Sequence, residues 1–104
     1  MKLSPSEIEQ RLQALKGWTL DGNAIRKQYT FAGFAPAVAF VNRLVAPAEA
    51  EDHHPDITIN YKRVTLTYTT HSEGGLTIKD FDGAATADRV AQESGNLVIW
   101  ESGN

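Results

Sequence analysis

The chain has 104 residues, of which 41% are hydrophobic and 22% are charged, and its formal net charge is −3. This length and composition predict a single globular domain over residues 1–104 and exclude a disordered chain. The acidic balance, with no run of lysine or arginine, gives no support to direct nucleic-acid binding, and the lack of cysteine excludes disulfides and thiolate metal sites.

The amino-terminal segment carries a strong helix start and no recognisable signal peptide. Ser4 can cap the helix, Pro5 suits its first position, and Glu7 completes a capping box. We therefore expect a first helix over residues 5–16, ended near Gly17.

A β-hairpin is predicted after this helix. Residues 18–20 and 24–31 alternate between apolar and polar side chains, and a turn sequence lies between them. Trp18 and Tyr29 are interpreted as core aromatic residues rather than ligand contacts.

A second helix is predicted over residues 35–51, with an apolar stripe that favours core packing. Pro47 lies late in this pattern, and we expect it to kink or end the helix just before an acidic cluster. Polar residues and prolines interrupt the apolar stretch, so a membrane span is not expected. The absence of cysteine suits a cytoplasmic protein.

The next segment predicts a second hairpin. Its third strand follows Pro55, its turn lies within residues 60–63, and its fourth strand runs from Val64 to His71. Apolar residues alternate with threonines along the fourth strand, which indicates one buried face and one face open to solvent or a partner.

A last helix is predicted over residues 79–92, where Thr77 and Asp80 form a pattern similar to a capping box. Asp80 could serve only as this cap or could belong to a functional site, and the sequence leaves both open. The final apolar run, residues 97–100, is compatible with a strand or with a tail docked on a neighbour.

The element order is α-β-β-α-β-β-α, which predicts an α+β fold with a four-stranded antiparallel sheet and three helices on one face. At least one sheet edge should remain open. A homodimer or homotetramer is therefore expected.

All three histidines of the chain, His53, His54 and His71, lie near the second hairpin. A turn at residues 60–63 pairs positions whose numbers sum to about 123, so residue 70 lies opposite residue 53. His53 and His71 should therefore meet at one end of the hairpin. Carboxylates flank the cluster, and imidazole can exchange protons near neutral pH.

Acid–base chemistry and metal binding are the two alternatives for such a cluster. His53 and His54 are adjacent in an extended segment, so their side chains point in opposite directions, which disfavours a shared metal ion. No His-x-x-x-His spacing is present, and we expect no metal. Ordinary surface histidines remain a third interpretation.

The spacing resembles that of the pterin-4a-carbinolamine dehydratases. Their motif has an acid, three residues, His-His-Pro, a short gap, an aromatic, nine residues, a histidine and then an aspartate. The corresponding positions here are Glu49, His53-His54-Pro55, Tyr61, His71 and Asp80. The element order over nearly the whole chain is also similar.

The resemblance implies dehydration of 4a-hydroxytetrahydrobiopterin to quinonoid dihydrobiopterin, without metal or cofactor, in the recycling that serves aromatic amino acid hydroxylases. We expect His53 and His71 to form the acid–base pair and His54 to orient the substrate. Expected substrate-binding residues are Glu49, Asp52, Pro55, Thr70, Ser72, Glu73 and Asp80.

The resemblance also implies alternatives to catalysis. Some members act as dimerisation cofactors of a transcription factor or associate with an aromatic amino acid hydroxylase, so a non-catalytic pterin-binding or coactivator protein is the competing interpretation. A role with another pterin is a third. The intact histidine set favours the dehydratase.

Overall fold

The computed structural model describes residues 1–94 and the backbone of residues 97–98. The predicted order of three helices and four strands is confirmed, and a short 3₁₀ turn and a two-residue strand are added to it. The elements are α1 Pro5–Gln13, β1 Thr19–Asp21, β2 Ala24–Phe31, α2 Phe34–Glu51, β3 Asp56–Asn60, β4 Arg63–Tyr68, the 3₁₀ turn His71–Glu73, α3 Ile78–Glu93 and β5 Leu97–Val98.

The sheet is antiparallel, with the strand order β1-β2-β4-β3, and β5 pairs with the end of β2. In the β3–β4 hairpin Ile57 lies opposite Leu66 and Asn60 lies opposite Arg63. These pairs sum to 123, so the register predicted from the sequence is confirmed. The two-residue turn at its tip places Tyr61 at a φ of 56°.

One face of the sheet carries the hydrophobic core. Ile25 of β2 and Val64 and Leu66 of β4 are fully buried there, against Phe40 of α2. The helix α1 contributes only partly buried side chains such as Leu12. On the other face the threonines of β4 remain partly exposed, which confirms the predicted alternation.

Both predicted capping boxes are present, at Ser4 with Glu7 and at Thr77 with Asp80. The helix α1 ends at Gln13, three residues earlier than expected. Its end is tightened by i→i−3 hydrogen bonds, from the Ala14 N–H to the Arg11 carbonyl and from Leu15 to Leu12.

We predicted that Pro47 would kink the second helix or end it just before the acidic cluster. The helix does not end there. The helix α2 continues through Pro47 to Glu51. Proline removes one N–H donor, but the backbone N–H of Asp52 still bonds to the Glu49 carbonyl and that of His53 to Ala48. The last turn is therefore closed by its own hydrogen bonds.

The fourth strand is shorter than expected, and His71 is not part of it. The strand β4 ends at Tyr68. Thr70 then bonds through its backbone N–H and carbonyl to Gly75, and the six-residue loop so formed holds His71 at the start of the 3₁₀ turn. This local bridge, rather than strand pairing, places the third histidine.

The final apolar run begins as a strand, with Leu97 opposite Phe31 and Val98 opposite Thr30. Residues 99–100 lie outside the described residues. No helix in the described part of the chain has both the length and the hydropathy to cross a membrane.

A partly buried polar cluster ties the first hairpin to α3. The Asp88 carboxylate accepts hydrogen bonds from the Trp18 indole (3.2 Å), the Lys27 ammonium (2.9 Å) and the Tyr29 hydroxyl. Trp18 and Tyr29 are both buried, as expected of core aromatics. Their polar atoms are satisfied by one acid, so this cluster is complete within the fold.

Candidate active site

The end of α2 determines where His53 lies. Asp52 takes the left-handed conformation there, with φ 51° and ψ 43°, and turns the chain away from the helix. The backbone N–H of His53 bonds to the Ala48 carbonyl at 3.1 Å. Pro55 then favours an extended backbone at His54, which leads into β3.

The His53 side chain is bonded to a buried carboxylate of α3. Its Nε2 lies 2.6 Å from Oδ1 of Asp80. The Asp80 side chain is fully buried, and that of His53 is 11% exposed. Asp80 is also the helix cap predicted from the sequence, because its other oxygen accepts the hydrogen bond from the Thr77 backbone N–H at 2.9 Å.

A chain of hydroxyl groups completes the surroundings of Asp80. Thr70 donates its hydroxyl proton to Asp80 Oδ2 at 2.8 Å. Since that proton is used, the Thr77 hydroxyl is the donor in its 2.8 Å bond to Thr70. With two donors on Oδ2, the carboxylate is an acceptor for every neighbour, and His53 Nε2 carries the proton that it shares with Oδ1.

This arrangement fixes the tautomer of His53. A neutral imidazole that donates from Nε2 has its lone pair on Nδ1, which can accept a proton from another molecule. The geometry of His53 therefore suits reversible proton transfer at Nδ1.

His54 is directed to a different helix and a different environment. Its Nε2 lies 2.6 Å from Oε2 of Glu49 on α2, and the two side chains are 54% and 69% exposed. The two adjacent histidines thus have separate carboxylate partners. Among residues 1–94, no group of three or more His, Asp or Glu side chains is arranged to hold a metal ion.

His71 is exposed at the start of the 3₁₀ turn, and its imidazole has no hydrogen-bond partner within residues 1–94. His71 directly follows Thr70, whose hydroxyl donates a hydrogen bond to Asp80. The same carboxylate therefore connects the segment of His53 to the segment of His71. The two segments are thus joined at one end of the hairpin, and the meeting of the His53 and His71 side chains stays a prediction.

The remaining predicted residues lie on the two segments that carry the histidines. Asp52, Pro55, Ser72 and Glu73 are at least partly exposed. Glu73 lies 3.5 Å from the terminal amino group of Met1. Thr70 differs from them, because it is 7% exposed and its hydroxyl is occupied by Asp80 and Thr77.

A cleft of about 490 Å³ opens beside His53, between the end of α2 and the first half of α3. Glu51, Lys79, Asp82, Ala85 and Thr86 complete its lining. A larger cleft of about 770 Å³ lies between α1 and the first hairpin, but no histidine lines it. The smaller cleft is therefore the one associated with the candidate site.

Sequence reasoning missed Tyr68 as a neighbour of the site. Its ring stacks on His53, with centroids 6.0 Å apart and an interplanar angle of 24°. Burial, followed by the charge of Glu51, raises the pKa of the Tyr68 hydroxyl above its ordinary value. The only signal in the sequence was its place on the inward face of β4, which does not distinguish it from a core residue.

The fold and the site define a small α+β protein with a histidine–carboxylate cluster where a helix end, a hairpin and a short loop meet. Residues 1–90 match the family model for pterin 4 alpha carbinolamine dehydratase. The chain belongs to this family.

Individual relatives support the same assignment. The chain is 51% identical over 88 residues to a protein of Nostoc sp. and 52% identical over 89 residues to one of Roseiflexus sp., both named "Putative pterin-4-alpha-carbinolamine dehydratase". The matches cover 85% and 86% of this chain and 95% and 96% of those proteins, respectively.

Two solved structures have a similar fold. The transcriptional coactivator/pterin dehydratase from Brucella melitensis gives a TM-score of 0.83 at 37% identity, covering 86% of this chain and 98% of that one. A pterin dehydratase-like protein identified as a RuBisCO assembly factor in the alpha-carboxysome gives 0.57 at 23% identity, covering 70% and 84%. The second likeness concerns the fold alone.

Proposed function

We propose that this protein dehydrates 4a-hydroxytetrahydrobiopterin to quinonoid dihydrobiopterin and water, in the recycling that serves aromatic amino acid hydroxylases. Its family membership supports a pterin dehydratase. The observation that carries the proposal further is the hydrogen bond between His53 and the buried Asp80, because it gives one histidine a defined proton-transfer atom.

The chemistry requires two proton transfers and no redox step. The C4a–O bond breaks, the hydroxyl leaves as water after gaining a proton, and N5 loses its proton as the C4a–N5 double bond forms. A group that titrates near ambient pH can serve either transfer. The protein gives one proton to the leaving hydroxyl and takes one from N5, so its net charge is the same before and after each turnover. The two histidines must exchange one proton before the next turnover.

We assign His53 and His71 to these transfers. Nδ1 of His53 has the lone pair, and the His71 ring has no partner within the described fold, so both rings are free to meet a ligand. Either histidine could be the acid. His54, held by Glu49, is assigned to binding and orienting the pterin.

The other predicted site residues divide by whether their side chains are exposed or buried. Glu49, Asp52, Pro55, Ser72 and Glu73 are partly or largely exposed and are proposed to contact the substrate. Thr70 and Asp80 were expected among them, but their side chains are buried and hydrogen-bonded to each other. We propose that these two support His53 instead.

We also propose a homodimer or homotetramer. Within the described residues β3 pairs only with β4, and its Ile57 and Ile59 remain 40% and 38% exposed. Antiparallel pairing of this edge with a second copy satisfies two-fold symmetry and covers both side chains. Phe34 and Val45 leave a second apolar surface on α2, each being 56% exposed.

An association with an aromatic amino acid hydroxylase and a cytoplasmic location are further proposals. The association suits the proposed reaction, since the hydroxylase releases the carbinolamine. The cytoplasmic location suits a chain that has no cysteine.

An absorbance assay with freshly generated 4a-hydroxytetrahydrobiopterin tests the proposal. We expect the protein to accelerate quinonoid dihydrobiopterin formation above the rate in buffer, in proportion to its concentration. Pterin binding measured by calorimetry, without acceleration, would instead support a non-catalytic pterin-binding or coactivator protein. The absence of both would contradict the dehydratase and the pterin site together.

A further inference from the structure

Tyr68 forms a buried contact between the candidate site and the middle of α3. Its side chain is 4% exposed, and its ring lies against the His53 imidazole on one side. Trp18 contacts the same ring, with centroids 5.8 Å apart. The orientation of Tyr68 is therefore fixed by its neighbours.

Gly83 of α3 provides the space for this ring. A Cβ added to Gly83 would lie 2.6 Å from Cε1 and 3.0 Å from Cζ of Tyr68. Such distances are far below van der Waals contact, so any side chain here would displace the ring. Glycine is unfavourable in a helix interior, and its presence at this buried position is explained by the approach of Tyr68.

We propose that Tyr68 is a positioning residue for His53. Gly83 of α3 makes this possible, because only a residue without a side chain leaves room for the Tyr68 ring. This inference rests on the proposed function, in which His53 transfers protons. The ring of Tyr68 holds the plane of the imidazole, while Asp80 holds its Nε2 edge. Together they direct Nδ1 towards the substrate.

Two contacts are needed because each restricts a different motion. A single hydrogen bond from Nε2 to Asp80 leaves the imidazole free to turn about the line that joins the two groups, and the χ2 torsion of histidine is intrinsically broad. A stacked ring opposes that rotation.

The first test compares Y68L, Y68F and F40L in the dehydratase assay. Y68L removes the stacked ring, and we expect kcat to fall about tenfold or more with little change in KM, because Tyr68 orients a catalytic group. Y68F restores the ring and should recover most of the lost kcat. F40L is the matched control, since Phe40 is fully buried but packs on Tyr29 and Phe31.

The second test uses G83A and the double variant G83A/Y68L. The added methyl group should lower the Tm and kcat of G83A by displacing Tyr68. In Y68L the clash is absent and alanine favours the helix, so adding G83A should raise the Tm rather than lower it. Additive Tm losses in the double variant would contradict the role of Gly83.

Imidazole ¹⁵N NMR supplies a readout that does not depend on turnover. Without the stacked ring the imidazole can turn out of its hydrogen bond to Asp80, which is the bond that fixes the tautomer, so we expect a mixture of tautomers in Y68L and G83A. The wild type, Y68F and F40L should show protonated Nε2 and unprotonated Nδ1 at His53. A wild-type His53 pattern with wild-type kcat in Y68L would overturn the proposal, as would equal kcat losses in Y68L and F40L.

The two readouts also separate this inference from the proposed function. An inactive wild type whose His53 tautomer still depends on Tyr68 would contradict the dehydratase while supporting the positioning contact. If Y68L does not fold, the same measurements on G83A decide the question.

Discussion

His53 and His54 are neighbours in sequence, yet their environments differ sharply. The His53–Asp80 pair is almost completely buried, whereas His54 and Glu49 are more than half exposed. Exposed ion pairs contribute at most about 1 kcal/mol to stability, because water screens them. A buried carboxylate is stabilised by its hydrogen-bond donors. Loss of either partner of the His53–Asp80 pair should therefore lower the stability of the fold, and loss of Asp80 should also change the orientation of His53.

The substitution D80N tests this difference. It keeps the shape of the side chain, but its amide group can accept on only one of the two oxygen positions. Either His53 or the Thr70–Thr77 donors then face an N–H group, and we expect unfolding free energy to fall by about 1–3 kcal/mol. Chemical denaturation measures the loss, and kcat in the dehydratase assay should also decrease.

D82N is the stability control for this substitution. Asp82 is exposed on the same helix, and its change from acid to amide should alter the unfolding free energy by no more than about 0.5 kcal/mol. Equal losses in D80N and D82N would contradict a special role for the buried hydrogen bonds.

At the scale of elements, the end of α2 stores backbone strain at the start of the site. Asp52 occupies the left-handed region, which costs a residue with a Cβ about 1–2 kcal/mol relative to glycine. Such conformations often lie at functional sites. The end of this helix, rather than its apolar stripe, is what positions His53.

The variants D52G and D52A separate backbone geometry from side-chain chemistry. D52G should be at least as stable as the wild type, while D52A should be less stable than D52G by about 1 kcal/mol. If the carboxylate binds the pterin, both variants should show a similarly raised KM. A raised KM in D52A alone would assign the effect to the backbone.

The predictable elements are those with local chemical signals. The capping boxes at Ser4 and Thr77 and the turn at 60–63 depend on residues a few positions apart, and all are present. The helix end expected at Pro47 and the strand end expected at His71 were wrong, because both depend on nearby backbone hydrogen bonds that no composition pattern reveals. The Tyr68–Gly83 contact joins a strand to a distant helix, and no single-sequence signal reports it.

At the scale of the whole molecule, the exposed isoleucines of β3 predict association through that edge. I59K should disrupt the interface and lower the molar mass measured by light scattering after size-exclusion chromatography. I78K is the matched control, because Ile78 is similarly exposed (41%) but lies on α3. An unchanged mass in I59K, from an oligomeric wild type, would exclude this edge as the interface.

Two buried tyrosines make the fold sensitive to alkaline pH. Burial, followed by the nearby Asp88, raises the pKa of Tyr29 above its ordinary value, and burial does the same for Tyr68. The unfolded chain ionises its tyrosines near pH 10 while the fold keeps these two neutral, so the stability they contribute below that pH is lost as pH rises above it.

Thermal unfolding between pH 8 and pH 11 measures this effect. The Tm of the wild type should fall above about pH 10. Y29F lacks the hydrogen bond to Asp88, so its Tm at pH 8 should be lower than that of the wild type. It also lacks one of the two buried hydroxyl groups, so its Tm should fall less steeply as pH rises. Parallel curves for the two proteins would contradict the contribution of Tyr29.

We propose that histidine acid–base chemistry at this site dehydrates a pterin carbinolamine, and the H71A variant tests this proposal most directly. His71 is exposed, and its ring has no hydrogen-bond partner within residues 1–94, so its removal should leave the Tm unchanged. We predict that H71A lowers kcat for 4a-hydroxytetrahydrobiopterin by about 100-fold or more. Turnover close to that of the wild type would contradict it.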